Sequence, residues 1–166
     1  FEYKIKTEKE RIFRSRLEFE QYYNPLQEER CLFEQKLSKA NEQNKVFYVQ
    51  GVCDYCGKSS NFMVDWKLNY NGTPGYRERL VCAGCKMTAR KRMIAGFLKE
   101  QISNCQNSPK ILLFEAKSEL YKNLSRQYGE IITGCEFFGT NRRSGEYING
   151  IMNQDMLNTS FADNEF

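Results

Sequence analysis

The alternation of apolar and polar residues changes its period along the chain, and each change marks a different element. Residues 3–23 are charged and aromatic. Phe13 and Leu17 stand four apart and Ile5 and Ile12 seven apart, a spacing that predicts a helix with a one-sided apolar stripe. The words "NPLQEE" predict a fresh helix start, with Asn24 as cap, Pro25 at the first helical position and Gln27 reaching back. Leu26, Phe33, Leu37 and Ala40 would share one face of that helix and pack on a neighbouring domain or a partner. Residues 1–45 are thus expected to form an N-terminal helical segment.

From residue 46 the period shortens. "KVFYVQGVC", "NFMVDW" and "RERLVC" have the branched and aromatic content of strands, and "NYNGTPGY" between the last two is rich in turn residues. A small antiparallel ribbon over residues 46–86 follows from this order. Helical spacing returns from Lys86 to about Ser103, where Met87, Arg90, Met93, Ile94, Phe97 and Leu98 lie three and four apart. That face would carry Arg90 along its buried edge and turn Lys91 and Arg92 elsewhere. With the turn-rich "NCQNSPK", residues 87–108 read as a connecting helix and linker.

The last rhythm is that of alternating strand and helix. "KILLFEA" suits a buried strand, "KSELYKNLSRQYG" a short helix ending at Gly129, "EIITGCEFFG" a second strand, and "GIMNQDMLNTSF" a third with an acidic residue at its end. A glycine-bearing, charged loop separates the last two. Residues 109–166 therefore predict the opening βαβ part of a Rossmann-like, doubly wound sheet, and the fold class as a whole is α+β.

Composition adds limits to this picture. The chain has 166 residues, 40% of them hydrophobic, which suffices for one ordinary core or a small domain and part of another. Its 25 basic and 21 acidic side chains leave a net +4, far below the charge of a dedicated nucleic-acid binder. No apolar run approaches the roughly 18 residues of a membrane span, and no secretory leader opens the chain, so a soluble, cytoplasmic protein is expected. Because the chain begins without methionine and stops soon after its third predicted strand, a fragment is also expected.

Chemistry enters with the cysteines. Four of the seven fall into two C-x-x-C pairs, Cys53 with Cys56 and Cys82 with Cys85. Each pair is short enough for both sulfurs to reach one tetrahedral ion, and the intervening hairpin would bring the pairs together. Gly57 and Gly84 supply permissive backbone at the two knuckles. Thiolate softness and tetrahedral geometry favour Zn2+, while an iron–sulfur cluster accepts the same ligands. Four protein thiolates leave no open position, so the ion would be structural. Cys31, Cys105 and Cys135 read as ordinary buried or half-buried thiols.

"RERLVCAGCKMTARKR", residues 77–92, surrounds the second pair with basic side chains: Arg77, Arg79, Lys86, Arg90, Lys91 and Arg92. With Tyr76 near enough to stack on a base, this is the best case for a nucleic-acid contact. The stronger expectation is that these residues brace the junction between ribbon and sheet, because they do not share one surface.

A sheet of the expected type binds its ligand at the carboxyl ends of its strands, with an acidic side chain about 20 residues after the first turn to take ribose hydroxyls. Glu115, Glu136 and Asp155 end the first, second and third predicted strands. The first turn, "FEAKSEL", lacks the glycine that lets backbone approach a pyrophosphate, which argues against NAD or FAD and less against S-adenosylmethionine.

The words "GVCDYCGK", "YRERLVCAGCKMTARKR", "LLFEAKSELYKNL", "TGCEFFG" and "GIMNQDMLNTSFADNEF" carry a resemblance over residues 47–166. Here the chain resembles the class I S-adenosylmethionine-dependent methyltransferases with an N-terminal zinc ribbon, a group associated with sugar and surface-polysaccharide biosynthesis. The resemblance implies that Glu115 stands in a modified first motif, Glu136 binds the cofactor ribose, and Asp155 with Met156 lies beside the adenine. It implies a small-molecule or glycan-precursor acceptor, and a chain cut short at its C-terminus that is inactive alone. Asn153 and Gln154 depart from the family, where His and Glu are common at these positions. The competing expectation is a non-catalytic zinc-ribbon module that binds nucleic acid or a protein partner.

Overall fold

The computed structural model describes residues 25–70 and 72–166. The helix expected over residues 3–23 and the Asn24 cap lie outside them.

The described part of α1, residues 25–40, turns an unexpected side inward. Leu26 and Phe33 are 50% and 59% exposed, whereas Ser38 is buried and Leu37 half-buried. Hydrogen bonding selects that side: Ser38 Oγ meets Tyr76 Oη at 2.9 Å and donates to Glu34 O at 2.6 Å.

The ribbon follows as β1 (Val46–Cys53) and β2 (Lys58–Asp65), paired antiparallel from Val46↔Asp65 to Cys53↔Lys58. The turn-rich words contain a minimal hairpin of β3 (Asn69–Tyr70) and β4 (Thr73–Pro74). "RERLVC" is not one strand: Tyr76–Arg79 forms the single turn of α2, and only β5 (Val81–Cys82) pairs with β2. The cause is Asp65, which accepts from Arg79 Nε at 2.7 Å and from Arg79 Nη2, so the arginine must curl back toward the end of β2.

Helix α3 (Ala89–Asn104) begins three residues later than its spacing predicts, because Thr88 caps it by accepting from Lys91 N. Its buried residues are Arg92 and Ala95, while Met93 and Phe97 are 66% and 59% exposed. The expected assignment is reversed: Arg92 is inside and Arg90 is out.

The remaining elements match the expected alternation except for the short strand at Tyr147–Ile148, which lies in the stretch expected to be a loop. They are β6 (Ile111–Leu113), α4 (Glu119–Tyr128), a 3-10 turn at Gly129–Ile131, β7 (Ile132–Glu136), β8 (Tyr147–Ile148) and β9 (Ile151–Asn153). Ser118 caps α4 at one end and Gly129, at φ 61°, closes the other. β6 runs parallel to β7 and β7 parallel to β9, in the order β6-β7-β9-β8. β8 forms a hairpin with β9 through Asn149-Gly150, both at positive φ, the turn best matched to strand twist. The whole is α+β, with small antiparallel and mixed sheets.

A core cluster joins ribbon and sheet. Cys53, Phe62, Cys82, Cys85 and Met87 pack with Ala95, Leu120, Leu124 and Ile132. Polar ties cross the same contact: Asn123 Nδ2 donates to Cys85 O at 3.0 Å, and Tyr55 Oη to Gln127 Oε1 at 3.1 Å. Gly134 admits the Tyr121 ring, since a Cβ there would lie 2.3 Å from it.

Candidate metal centre and strand ends

Each cysteine pair sits on a tight knuckle, and the two knuckles are alike. Gly57 N donates to Cys53 O at 2.8 Å and Lys86 N to Cys82 O at 3.0 Å. Gly57 and Lys86, the residues following each pair, have φ of 68° and 60°. Gly84 serves differently from the expectation: its φ is not in the left-handed region, but a Cβ would come within 3.3 Å of Cys56 Sγ.

The four sulfurs of Cys53, Cys56, Cys82 and Cys85 lie within 4.8 Å of one another. Cys53 to Cys85 and Cys56 to Cys82 are each 3.9 Å. Around a tetrahedral ion with metal–sulfur bonds of about 2.3 Å, sulfurs stand about 3.8 Å apart. Two of the sulfur–sulfur distances match that value and the rest stay within 4.8 Å, so the group can hold a metal ion. Cys53 and Cys82 are fully buried, which would shield a bound ion's bonds to them from water.

Donors around the sulfurs prepare them for the anionic state. Cys56 N approaches Cys53 Sγ at 3.4 Å, Gly84 N approaches Cys82 Sγ at 3.3 Å, and Ser60 Oγ lies 3.1 Å from Cys82 Sγ. Burial pushes the Cys53 and Cys85 thiols up. It pushes on Cys82 as well, but there the hydrogen bonds from Ser60 and the backbone outweigh it and bring the thiol down to about 6.

The remaining cysteines divide. Cys135 is buried, and burial lifts its thiol to about 11. Cys31 and Cys105 are exposed, contrary to expectation, one on the outer side of α1 and one just past α3.

The basic residues are largely occupied. Arg92, with a side chain only 7% exposed, donates from Nε to Asp54 Oδ1 at 3.1 Å and from Nη1 to Met87 O at 2.9 Å and Leu80 O at 3.1 Å. It thereby grips residues beside both knuckles. Arg79 pairs with Asp65, Arg90 with Glu78 at 3.1 Å, Arg77 with Glu78 at 3.3 Å, and Lys91 with Glu115 at 3.1 Å. Tyr76 is buried against Phe47 and is not presented for stacking.

At the other end of the contact, β6, β7 and β9 finish side by side. Leu113 pairs with Gly134 and Glu136 with Asn153, so Glu136 ends β7 while Glu115 and Asp155 each lie two residues past the ends of β6 and β9. Glu136 Oε1 accepts from Lys117 N at 2.9 Å. The Lys117 ammonium rests 4.0 Å from the centre of the Phe138 ring. Glu115 is tied to α3 through Lys91, and Asp155 Oδ1 accepts from Leu157 N at 2.9 Å. Met156 is 71% exposed.

Two residues that sequence reasoning passed over as departures set the shape of this end. Asn153, fully buried, accepts from Phe138 N at 2.8 Å and donates to Arg142 O and Arg143 O, pinning the loop after β7. Gln154, also fully buried, donates to Ser160 Oγ at 2.7 Å and accepts from Ser160 N at 2.9 Å. The usable signal was an adjacent pair of amides at the end of an apolar strand, where burial demands partners.

Compared with family models, curated proteins and solved structures, the chain finds no match. Among the described residues no helix is long and apolar enough to cross a membrane.

Proposed function

We propose that the four thiolates hold a structural zinc ion, and that the crevice at the ends of β6, β7 and β9 is the S-adenosylmethionine site of a Rossmann-like methyltransferase domain. A closed all-thiolate tetrahedron suits zinc and leaves no position for substrate, so the ion's part is architectural. The acceptor on this reading is a sugar or polysaccharide precursor. That assignment rests on the sequence resemblance.

The observation that carries the cofactor reading is Glu136. It ends the central parallel strand, one carboxylate oxygen is fixed by the Lys117 amide, and the other is open to a ligand hydroxyl. On this reading Glu136 orients the ribose, and Asp155 and Met156 border the adenine. Glu115, paired with Lys91, ties the turn after β6 to α3. Bound S-adenosylmethionine would supply an already activated methyl group, leaving the chain to position the acceptor. The alternative of a ribbon that binds nucleic acid is weakened by the ion pairs that occupy its arginines.

Calorimetric titration of S-adenosylhomocysteine into the zinc-loaded chain tests the proposal. Saturable binding at one site, lost in Glu136→Ala, is expected. A folded, zinc-replete chain that shows no heat of binding, or a Glu136→Ala variant that binds as well as wild type, overturns it. Metal analysis of the same sample should give one zinc per chain, and iron in its place would refute the zinc assignment.

A further inference from the structure

The sheet order β1-β2-β5 leaves the outer side of β1 without a partner strand among the described residues. Its eight residues run in unbroken register against β2. An edge of that length presents a row of unpaired N–H and C=O groups, which folded proteins usually blunt with proline, a bulge, charge or shortening. β1 uses none of these devices, for "VFYVQGVC" contains neither proline nor a charged side chain. Instead Val46, Tyr48 and Val52 stand out on its solvent side, 44%, 66% and 71% exposed, with Gln50 among them.

The edge is complementary to itself. With a two-fold axis at Gln50 and a second β1 running antiparallel, Tyr48 falls opposite Val52 of the partner subunit, and the reciprocal pair forms on the other side of the axis. Aromatic and branched residues opposite one another are a favoured antiparallel pair. Val49 falls opposite Gly51 of the partner subunit, bulk against its absence. The two Gln50 amides meet at the axis, where each can donate and accept. Charge agrees with the same direction. Lys45 precedes the strand and Asp54 follows it, so antiparallel pairing sets the basic start of each copy beside the acidic end of the other. Asp54 is 67% exposed even with its bond to Arg92, and so stays accessible.

We propose that β1 joins a second copy of this chain, edge to edge and antiparallel about Gln50, making one six-stranded sheet from two ribbons. A strand pair buries less than the roughly 1,200 Å² of a stable interface, so the dimer forms reversibly with concentration. This inference stands apart from the cofactor proposal and uses none of its residues.

Sedimentation equilibrium of the metal-loaded full chain, from about 10 μM to about 1 mM, reads the association. Wild type is expected to pass from monomer to dimer over that range. Tyr48→Lys with Val52→Lys, both on exposed positions, is expected to raise the dissociation constant about 30-fold or more while metal content stays at one ion per chain. Gln50→Cys, in a background of Cys31→Ser and Cys105→Ser, is expected to form an intermolecular disulfide on mild oxidation. A wild-type chain that stays monomeric at the highest concentration overturns the proposal. So does a dimer indifferent to both lysines and unable to cross-link at position 50, which would locate the contact on another surface such as the exposed sides of α1 and α3.

Discussion

Replacing Arg92 by methionine should destabilise the metal-loaded chain by about 3 kcal/mol. The stem length is kept, so the loss falls mainly on the guanidinium. Two backbone carbonyls, Met87 O and Leu80 O, lose a charged donor, at about 1.5 kcal/mol each. The bond to Asp54 adds less than about 1 kcal/mol, because that carboxylate is two-thirds exposed. The stack on Phe62, 4.7 Å from ring centre to guanidinium, adds about 0.5–1 kcal/mol, and burial of the thioether returns a similar amount. Urea denaturation with the ion in excess measures the sum. A chelator competition gives a second readout: Asp54 lies inside the first cysteine pair and Met87 just past the second, so the variant should release its ion about 10-fold more readily. Arg92→Lys keeps the charge without the planar fork and should recover no more than half of the loss. A methionine variant within about 1 kcal/mol of wild type, with unchanged metal retention, would refute the bracing role.

Hydrogen bonds from Arg79 hold the Asp65 carboxyl below the usual carboxylate range, against the upward push of burial. Stability from a depressed carboxyl is complete above the unfolded value near pH 4 and is lost as pH falls through the folded one. Asp65→Asn should therefore cost about 2 kcal/mol at neutral pH, and the gap should narrow below about pH 4 in denaturant titrations; a gap of constant size would contradict this. Gly134→Ala forces a methyl into the Tyr121 ring and should cost about 1–3 kcal/mol, a penalty expected to shrink sharply in a Tyr121→Leu background, as a double-mutant cycle would report. Lys86→Gly relieves a left-handed backbone at the second knuckle and should raise stability by about 1 kcal/mol, to be read from the shift in denaturation midpoint. Chelating the ion should raise amide exchange in β5 and also in α4, which packs on the same cluster; exchange confined to the ribbon would mean that the two units are not coupled.

What could be read in advance was local chemistry. Two C-x-x-C pairs flanked by strand-like words place four thiols together because the spacing of the knuckle is set within a few residues, and the described cluster is that group. The alternation from Ile111 onward was legible for a similar reason: Ser118 and Gly129 carry the cap signals that bound α4. The face of α3 was legible only in part, for Ile94 and Leu98 pack on the core as their spacing predicts. Met93 and Phe97 form an apolar stripe at helical spacing yet face outward, while Arg92 is turned inward, where it donates to the carbonyls of Leu80 and Met87, the second of which also accepts from Cys82 N. Tertiary hydrogen bonding overrode hydrophobic periodicity there, and again in α1, where Ser38 is inside and Phe33 outside. The β8–β9 hairpin was missed although Asn149-Gly150 is a strong turn signal, because two-residue strands are too short to show alternation.

The cysteine cluster and the ends of the mixed sheet are far apart in the sequence but are linked through shared packing and hydrogen bonds. The last strand of the three-stranded ribbon has only two residues, so an ion held by the four thiols would add four bonds that fix the positions of Cys82 and Cys85. Cys85 in turn accepts from Asn123 of α4 through its carbonyl, and Leu120 and Leu124 pack into the same cluster as the thiols. The seating of α4 decides where the loop before it crosses the strand ends. On that loop Lys117 presents the amide that fixes Glu136, while Lys91, one residue from the arginine that grips both knuckles, holds Glu115. On the reading that the thiols hold an ion, it needs no open coordination position to matter at the strand ends: by ordering the surface on which α4 and α3 rest, it would bear on how Glu136 and Glu115 are held.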